Sequence, residues 1–122
     1  MTRAARIMNL AALGAWLCAG AAFADEPHAN AIKLYNTYCV QCHGLKRNGT
    51  GVNLPGLSTK PRDHTDTKGM GETPDDELFK AIKEGGLAVN KSVLMPNWGG
   101  VLSDDEIKEL VKYLRVVCHC GH

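Results

Sequence analysis

Cys39, Cys42 and His43 carry the densest chemistry in this sequence, in the run Cys39-Val40-Gln41-Cys42-His43. Residues three apart on a helix share a face. Two thiols placed that way can each add to a vinyl group on one porphyrin edge, and the next residue brings an imidazole nitrogen beneath the iron. C-x-x-C-H is the spacing of covalent haem attachment. Attachment also consumes two thiols that would otherwise oxidise outside the cytosol. Two other chemistries use these residue types. A dithiol redox pair belongs where a strand meets a helix in an α/β pattern, whereas this pair ends a helical pattern in a chain with no convincing strand run. A structural zinc site can be built from four cysteines, but Cys118 and Cys120 lie far along the chain and His43 would have no role. The spacing favours one haem bound through Cys39 and Cys42, with His43 as an iron ligand.

A second iron ligand must come from elsewhere. Met70, between Gly69 and Gly71, reads as core filler. Met95 stands in Leu94-Met95-Pro96-Asn97-Trp98, where the proline holds the preceding residue extended. A loop methionine so held presents its thioether, and Met95 is the expected partner of His43 on the iron. His64, His119, His122 and Cys118 have ligating atoms too, but read as solvated or tail residues.

Three helical patterns must position these groups. The first spans about 28–42, with Ile32, Leu34, Tyr35 and Tyr38 on its apolar side and Gly44 as its stop. The second begins with Thr73 as N-cap and Pro74 at the first helical position, followed by Asp75, Asp76 and Glu77 at the positive helix end. Leu78, Phe79 and Ile82 form its apolar side, and Gly85-Gly86 ends it. The third opens with Ser103 and Glu106 in a capping-box spacing, with Leu102 able to staple to Ile107. Ile107, Leu110, Val111, Leu114 and Val117 make its stripe, with Tyr113 beside it. Glycine- and proline-rich loops fill 44–71 and 85–100. Loops this long in a small domain need something between them. Aromatic residues are only 6% of the chain, so a buried cofactor is the expected filling.

At 122 residues the chain has room for one domain. Its net charge of +1 excludes a nucleic-acid binder held by a strong basic field, and 44% hydrophobic residues exclude a disordered tail. Arg3 and Arg6, an apolar stretch Ile7 to Ala22 and the small residues of Ala22-Phe23-Ala24 lay out a secretory signal peptide over 1–24. An uncleaved membrane anchor is the lesser reading, since the apolar run is short for a span. The arginines are not adjacent, so no twin-arginine signal is indicated. Cys18 would leave with the peptide. The expected mature protein is a single periplasmic domain, 25–122, of net charge −1, with a Cys/His-rich tail at 118–122.

The mature chain resembles the small class I cytochromes c along nearly its whole length. Cys39-Val40-Gln41-Cys42-His43-Gly44 matches the family's haem signature, and Tyr35 an aromatic of its first helix. Ala31 stands where the family often has Gly, near the crossing of first and last helices, and Tyr113 matches the aromatic that meets that crossing. The segment from Leu94 to Gly100, followed by Leu102 to Glu106, resembles the family's methionine loop and the start of its last helix. The resemblance implies an all-α cytochrome c fold, short helices and long loops around one haem c, with His43 and Met95 as axial ligands. It implies that the Pro55 carbonyl accepts from the His43 ring, that Arg62 pairs with a propionate, and that Trp98 packs on the haem or bonds a propionate; Trp98 reads equally as an ordinary core aromatic. The implied activity is one-electron transfer between larger redox proteins, with no substrate at the iron and no catalytic dyad. The alternative is a haem sensor, or a cytochrome subunit of a larger redox enzyme, with a labile sixth ligand. Lys46-Arg47 reads first as a solvated pair and second as a contact for an acidic partner. The tail reads first as exposed; a disulfide between Cys118 and Cys120 is possible but strained, and a dimer or metal contact through them, or a thiol ligand replacing Met95, are the other readings.

Overall fold

Apolar spacing makes the last helix the organiser of this chain. The structure, a computed structural model, describes residues 26–121. The expected signal peptide, Cys18 and His122 lie outside the described residues. Helix α1 is Ala29–Tyr38, α2 Val40–His43, α3 Thr67–Gly71, α4 Asp75–Glu84 and α5 Asp104–Val117. Two 3-10 turns, Leu54–Gly56 and Gly86–Val89, interrupt the loops, and among the described residues there is no strand.

Helix α5 buries Ile107, Leu110, Val111 and Leu114 on one face, and both α1 and α4 pack against it. Each such side chain taken from water stabilises the fold by about 1.5–3 kcal/mol. Ala31 and Tyr35 form the buried side of α1, and the Tyr35 and Tyr113 rings meet edge to face at 5.8 Å. A methyl group at position 31 is thus small enough for the α1–α5 crossing. The start of α5 follows expectation. The Ser103 hydroxyl accepts from the Glu106 N–H at 3.3 Å, and the Ser103 N–H donates to Glu106 Oε2 at 2.8 Å. Ser103→Ala is expected to cost about 1 kcal/mol in chemical unfolding. The Ser103 backbone N–H and then its hydroxyl hold the Glu106 carboxyl below its usual range. That contribution is complete above the unfolded carboxylate value and fades as pH falls through the lower folded one. The gap between wild type and Ser103→Ala should therefore narrow in acid.

Three expected boundaries move. The helix expected over 28–42 is two helices that meet at Cys39, which stays in the right-handed helical region but with φ drawn out to −107°. The position preceding α4 is held by Pro74 rather than Thr73, since Pro74 is extended at ψ 154°. The Thr73 hydroxyl turns back to donate to the Gly69 carbonyl at 2.9 Å. The loop 44–71 contains α3, whose start is capped by Asp66 accepting from the Gly69 N–H. Met70 on α3 is fully buried, as a core methionine should be.

The tail reading needs correcting. Cys118 is fully buried, its N–H donates to the Leu114 carbonyl, and it forms the C-cap of α5. A disulfide joins Cys118 to Cys120 within the chain. Both sulfurs are thereby taken, and the expected dimer or metal contact through them finds no support in this geometry. Among the described residues no cluster of His, Cys, Asp and Glu is placed to hold a metal ion.

Candidate functional site

The run from Cys39 to His43 closes one helical turn. The His43 N–H donates to the Cys39 carbonyl at 2.9 Å, so the two cysteines and the histidine stand on consecutive corners of that turn. The last carbonyls of a helix lack intrahelical partners. Here the Gln41, Cys42 and His43 carbonyls accept from the Asn53, Gly51 and Gly49 N–H groups, at 2.9, 3.0 and 2.9 Å. The loop that follows is stitched to the motif in this way. Gly51 must be glycine, because a Cβ there would collide with the Gln41 and Cys42 carbonyls.

Cys39 and Cys42 are unbonded and half-buried. Burial first, and Cys42 second, push the Cys39 thiol up to about 12. A redox-active cysteine needs the opposite shift, toward thiolate, so the dithiol reading is disfavoured. His43 is buried, and burial lowers its pKa, with the Arg62 carbonyl acting in the opposite sense. His43 Nδ1–H donates to the Arg62 carbonyl at 3.0 Å. A carbonyl can only accept, so the proton is on Nδ1 and the Nε2 lone pair is left for a metal.

Arg62 thereby takes the role expected of Pro55. Pro55 is exposed on its 3-10 turn, because the Gly49–Asn53 loop folds back onto the motif and the later segment passes beneath the ring. The His64 N–H donates to the Arg47 carbonyl at 2.7 Å and anchors that segment. His64, expected in solvent, is only 8% exposed; its ring stacks on His43 and lies 3.0 Å from the Tyr35 hydroxyl. Arg47 is not a free partner contact either. Its Nε donates to the Tyr113 hydroxyl at 2.8 Å, its Nη2 donates to Asn36 Oδ1, and its guanidinium lies over the Tyr35 ring.

Met95 lies on the loop after α4, half-buried against the core. The loop is pinned to the end of α4, whose Ile82 and Lys83 carbonyls accept from the Trp98 and Gly99 N–H groups at 3.0 Å each. Gly85, at φ +89°, accommodates the Met95 carbonyl 3.0 Å from where a Cβ would sit. Trp98 packs on Tyr38, ring centroids 5.2 Å apart, which ties the methionine loop to the residue before Cys39. Cys39, Val40, Met95 and Trp98 all border one buried cluster.

These donors fit an iron porphyrin: two free thiols, a neutral imidazole with one free nitrogen, and a thioether on an adjoining loop. The apolar surface fits as well. Val52 is 78% exposed on the loop whose Asn53 amide reaches the Cys42 sulfur at 3.8 Å, and Val93 and Leu94 flank Met95 unburied.

Residues 27–114 match the family model described as cytochrome c oxidase, cbb3-type, subunit III. Among solved structures, KustC0563 c-type cytochrome is 28% identical with a TM-score of 0.56, over 75% of this chain and 98% of that one. No curated protein matches the sequence.

Proposed function

The chain belongs to the cytochrome c oxidase, cbb3-type, subunit III family and has the cytochrome c fold of a c-type cytochrome, and from that premise we propose that it is a periplasmic one-electron carrier with His/Met-ligated iron. The observation that carries this reading is the His43 Nδ1–H bond to the Arg62 carbonyl beside two unbonded cysteines. Cys39 and Cys42 would hold the porphyrin by thioether links, and His43 Nε2 and the Met95 thioether would be the protein ligands to its iron. When bound, haem c supplies a ferric/ferrous couple, and Met/His ligation raises its potential relative to harder ligands. The chain's own residues do the rest. The Arg62 carbonyl orients the imidazole and makes Nε2 more donating. The pinned loop 92–99 holds Met95 in place. Burial keeps His43 neutral and water away from the ring. Other redox proteins act as donor and acceptor, meeting the exposed edge through a weak, transient interface. Residues 1–24 direct export and are removed.

The alternative, a sensor or enzyme subunit with a labile sixth ligand, gives the opposite ligand behaviour. The oxidised wild type should show the weak long-wavelength band of a thioether on ferric iron, and the reduced protein should not bind carbon monoxide at neutral pH. Met95→Ala should lose the band and bind carbon monoxide nearly stoichiometrically. Rapid binding by the wild type would establish the labile-ligand reading instead.

A further inference from the structure

We propose that His64 is a positioning residue for His43: with the Arg62 carbonyl it fixes the plane of the iron-binding imidazole and keeps one face of that ring dry. The proposal rests on the haem reading above and adds to it a residue that the attachment motif does not contain.

A buried histidine is costly where an apolar side chain would pack without a polar group to satisfy. His64 is held on several sides. Its backbone N–H donates to the Arg47 carbonyl at 2.7 Å, and the ring Nδ1 is in hydrogen-bond contact with the Tyr35 hydroxyl at 3.0 Å. Its ring lies nearly flat on His43, centroids 4.2 Å apart and planes 18° apart. Tyr35 is itself locked: 1% exposed, edge-on to His64 and to Tyr113 at 5.8 Å each, with the Arg47 guanidinium 5.1 Å above it.

The geometry separates two constraints. The Nδ1–H bond to the Arg62 carbonyl sets where His43 points, but one hydrogen bond leaves a ring free to turn about the N–H···O line. A flat neighbour on its face stops that turn. The Tyr35 hydroxyl sets the rotation of His64, and the stacked contact passes it to His43. Arg62 and His64 are two residues apart, so one short segment supplies both restraints. Ligand-plane orientation sets the in-plane splitting of low-spin ferric iron, and hydration of the ring favours the more highly charged ferric state.

The test uses the purified haem-loaded protein with His64→Phe, His64→Ala and Tyr35→Phe. Electron paramagnetic resonance reads the ferric g-values, and a mediator of fixed potential reads the redox equilibrium constant. His64→Phe keeps a flat, dry face and should stay within about twofold of wild type. His64→Ala should shift the g-values and favour the ferric state about tenfold, equivalent to about 59 mV for a one-electron couple. Tyr35→Phe should broaden the g-values, because His64 is then free to rotate. If His64→Ala does not fold, the other two variants still decide: a sharp, wild-type spectrum for Tyr35→Phe overturns the proposal. So does wild-type spectroscopy with only a lowered unfolding midpoint in His64→Ala, or a shift in His64→Phe as large as in His64→Ala. A wild-type protein lacking covalent haem fails earlier and differently: it refutes the haem reading before any variant is compared.

Discussion

Replacing Cys39 and Cys42 together by alanine is expected to abolish covalent haem. The two thiols are the only described cysteines left unbonded, and they sit on one helical turn with His43. Neither Cys118 nor Cys120 can substitute, since they are joined to each other. In a denaturing gel stained for haem peroxidase activity, the exported wild type should stain and the double variant should not. Either single variant should keep one thioether and a weaker signal. The double variant should also accumulate poorly, because a small domain built around a cofactor loses part of its stability when the cofactor is not held. Staining of the double variant equal to wild type would place the attachment elsewhere.

Arg115→Ala is expected to be the most damaging change outside Cys39, Cys42, His43 and Met95. Arg115 is a charged residue buried on the core helix. Its Nη1 donates to the Met70 carbonyl at 2.5 Å, Nη2 donates to the Thr73 carbonyl at 2.6 Å, and Nε donates to Asp75 Oδ1 at 2.7 Å. One guanidinium thus joins α5 to the end of α3, the linker and the start of α4. Asp75 is 70% exposed and can be solvated once abandoned, so the ion pair itself contributes little. The larger cost is the loss of donors to the carbonyls, at roughly 1–3 kcal/mol for each buried group left unpaired. Together with lost packing this gives about 3 kcal/mol, a fall of roughly 12–24 °C in Tm for a domain of this size. Asp75→Ala should cost under about 1 kcal/mol. Arg115→Lys should recover little, because an ammonium cannot serve three directions with a planar fork. Thermal unfolding followed by circular dichroism decides; equal losses for Arg115→Ala and Asp75→Ala would contradict the assignment.

The sequence made local features legible and left distant partnerships hidden. The capping box at Ser103, the α5 stripe and the helical turn of the attachment motif all lie within a few residues of one another, and spacing alone carries them. The boundary errors at Cys39 and Thr73 are also local; backbone angles decided them where side-chain type could not. The Arg62 carbonyl was out of reach for another reason. Any residue has a carbonyl, so the partner of His43 depends on how the 44–64 loop folds, and the resemblance pointed to Pro55. His64 and Arg115 were missed because each is polar in a stretch that reads as loop or as the outer side of a helix. Their burial follows from partners 29 and 45 positions away, Tyr35 and Met70. A signal was present in both cases: a lone histidine after Pro61-Arg62-Asp63, and an arginine beside the α5 stripe. Cys118 carried a similar one, since it continues the apolar spacing of Leu110, Val111 and Leu114.

The central claim is that this chain carries one porphyrin fastened through Cys39 and Cys42. Intact mass spectrometry of the exported protein in denaturing solvent tests it most directly, because that solvent strips any cofactor that is not covalently held. The account predicts a single species with the mass of the polypeptide from residue 25 onward plus one haem. A folded, exported product with the mass of the bare polypeptide would contradict it.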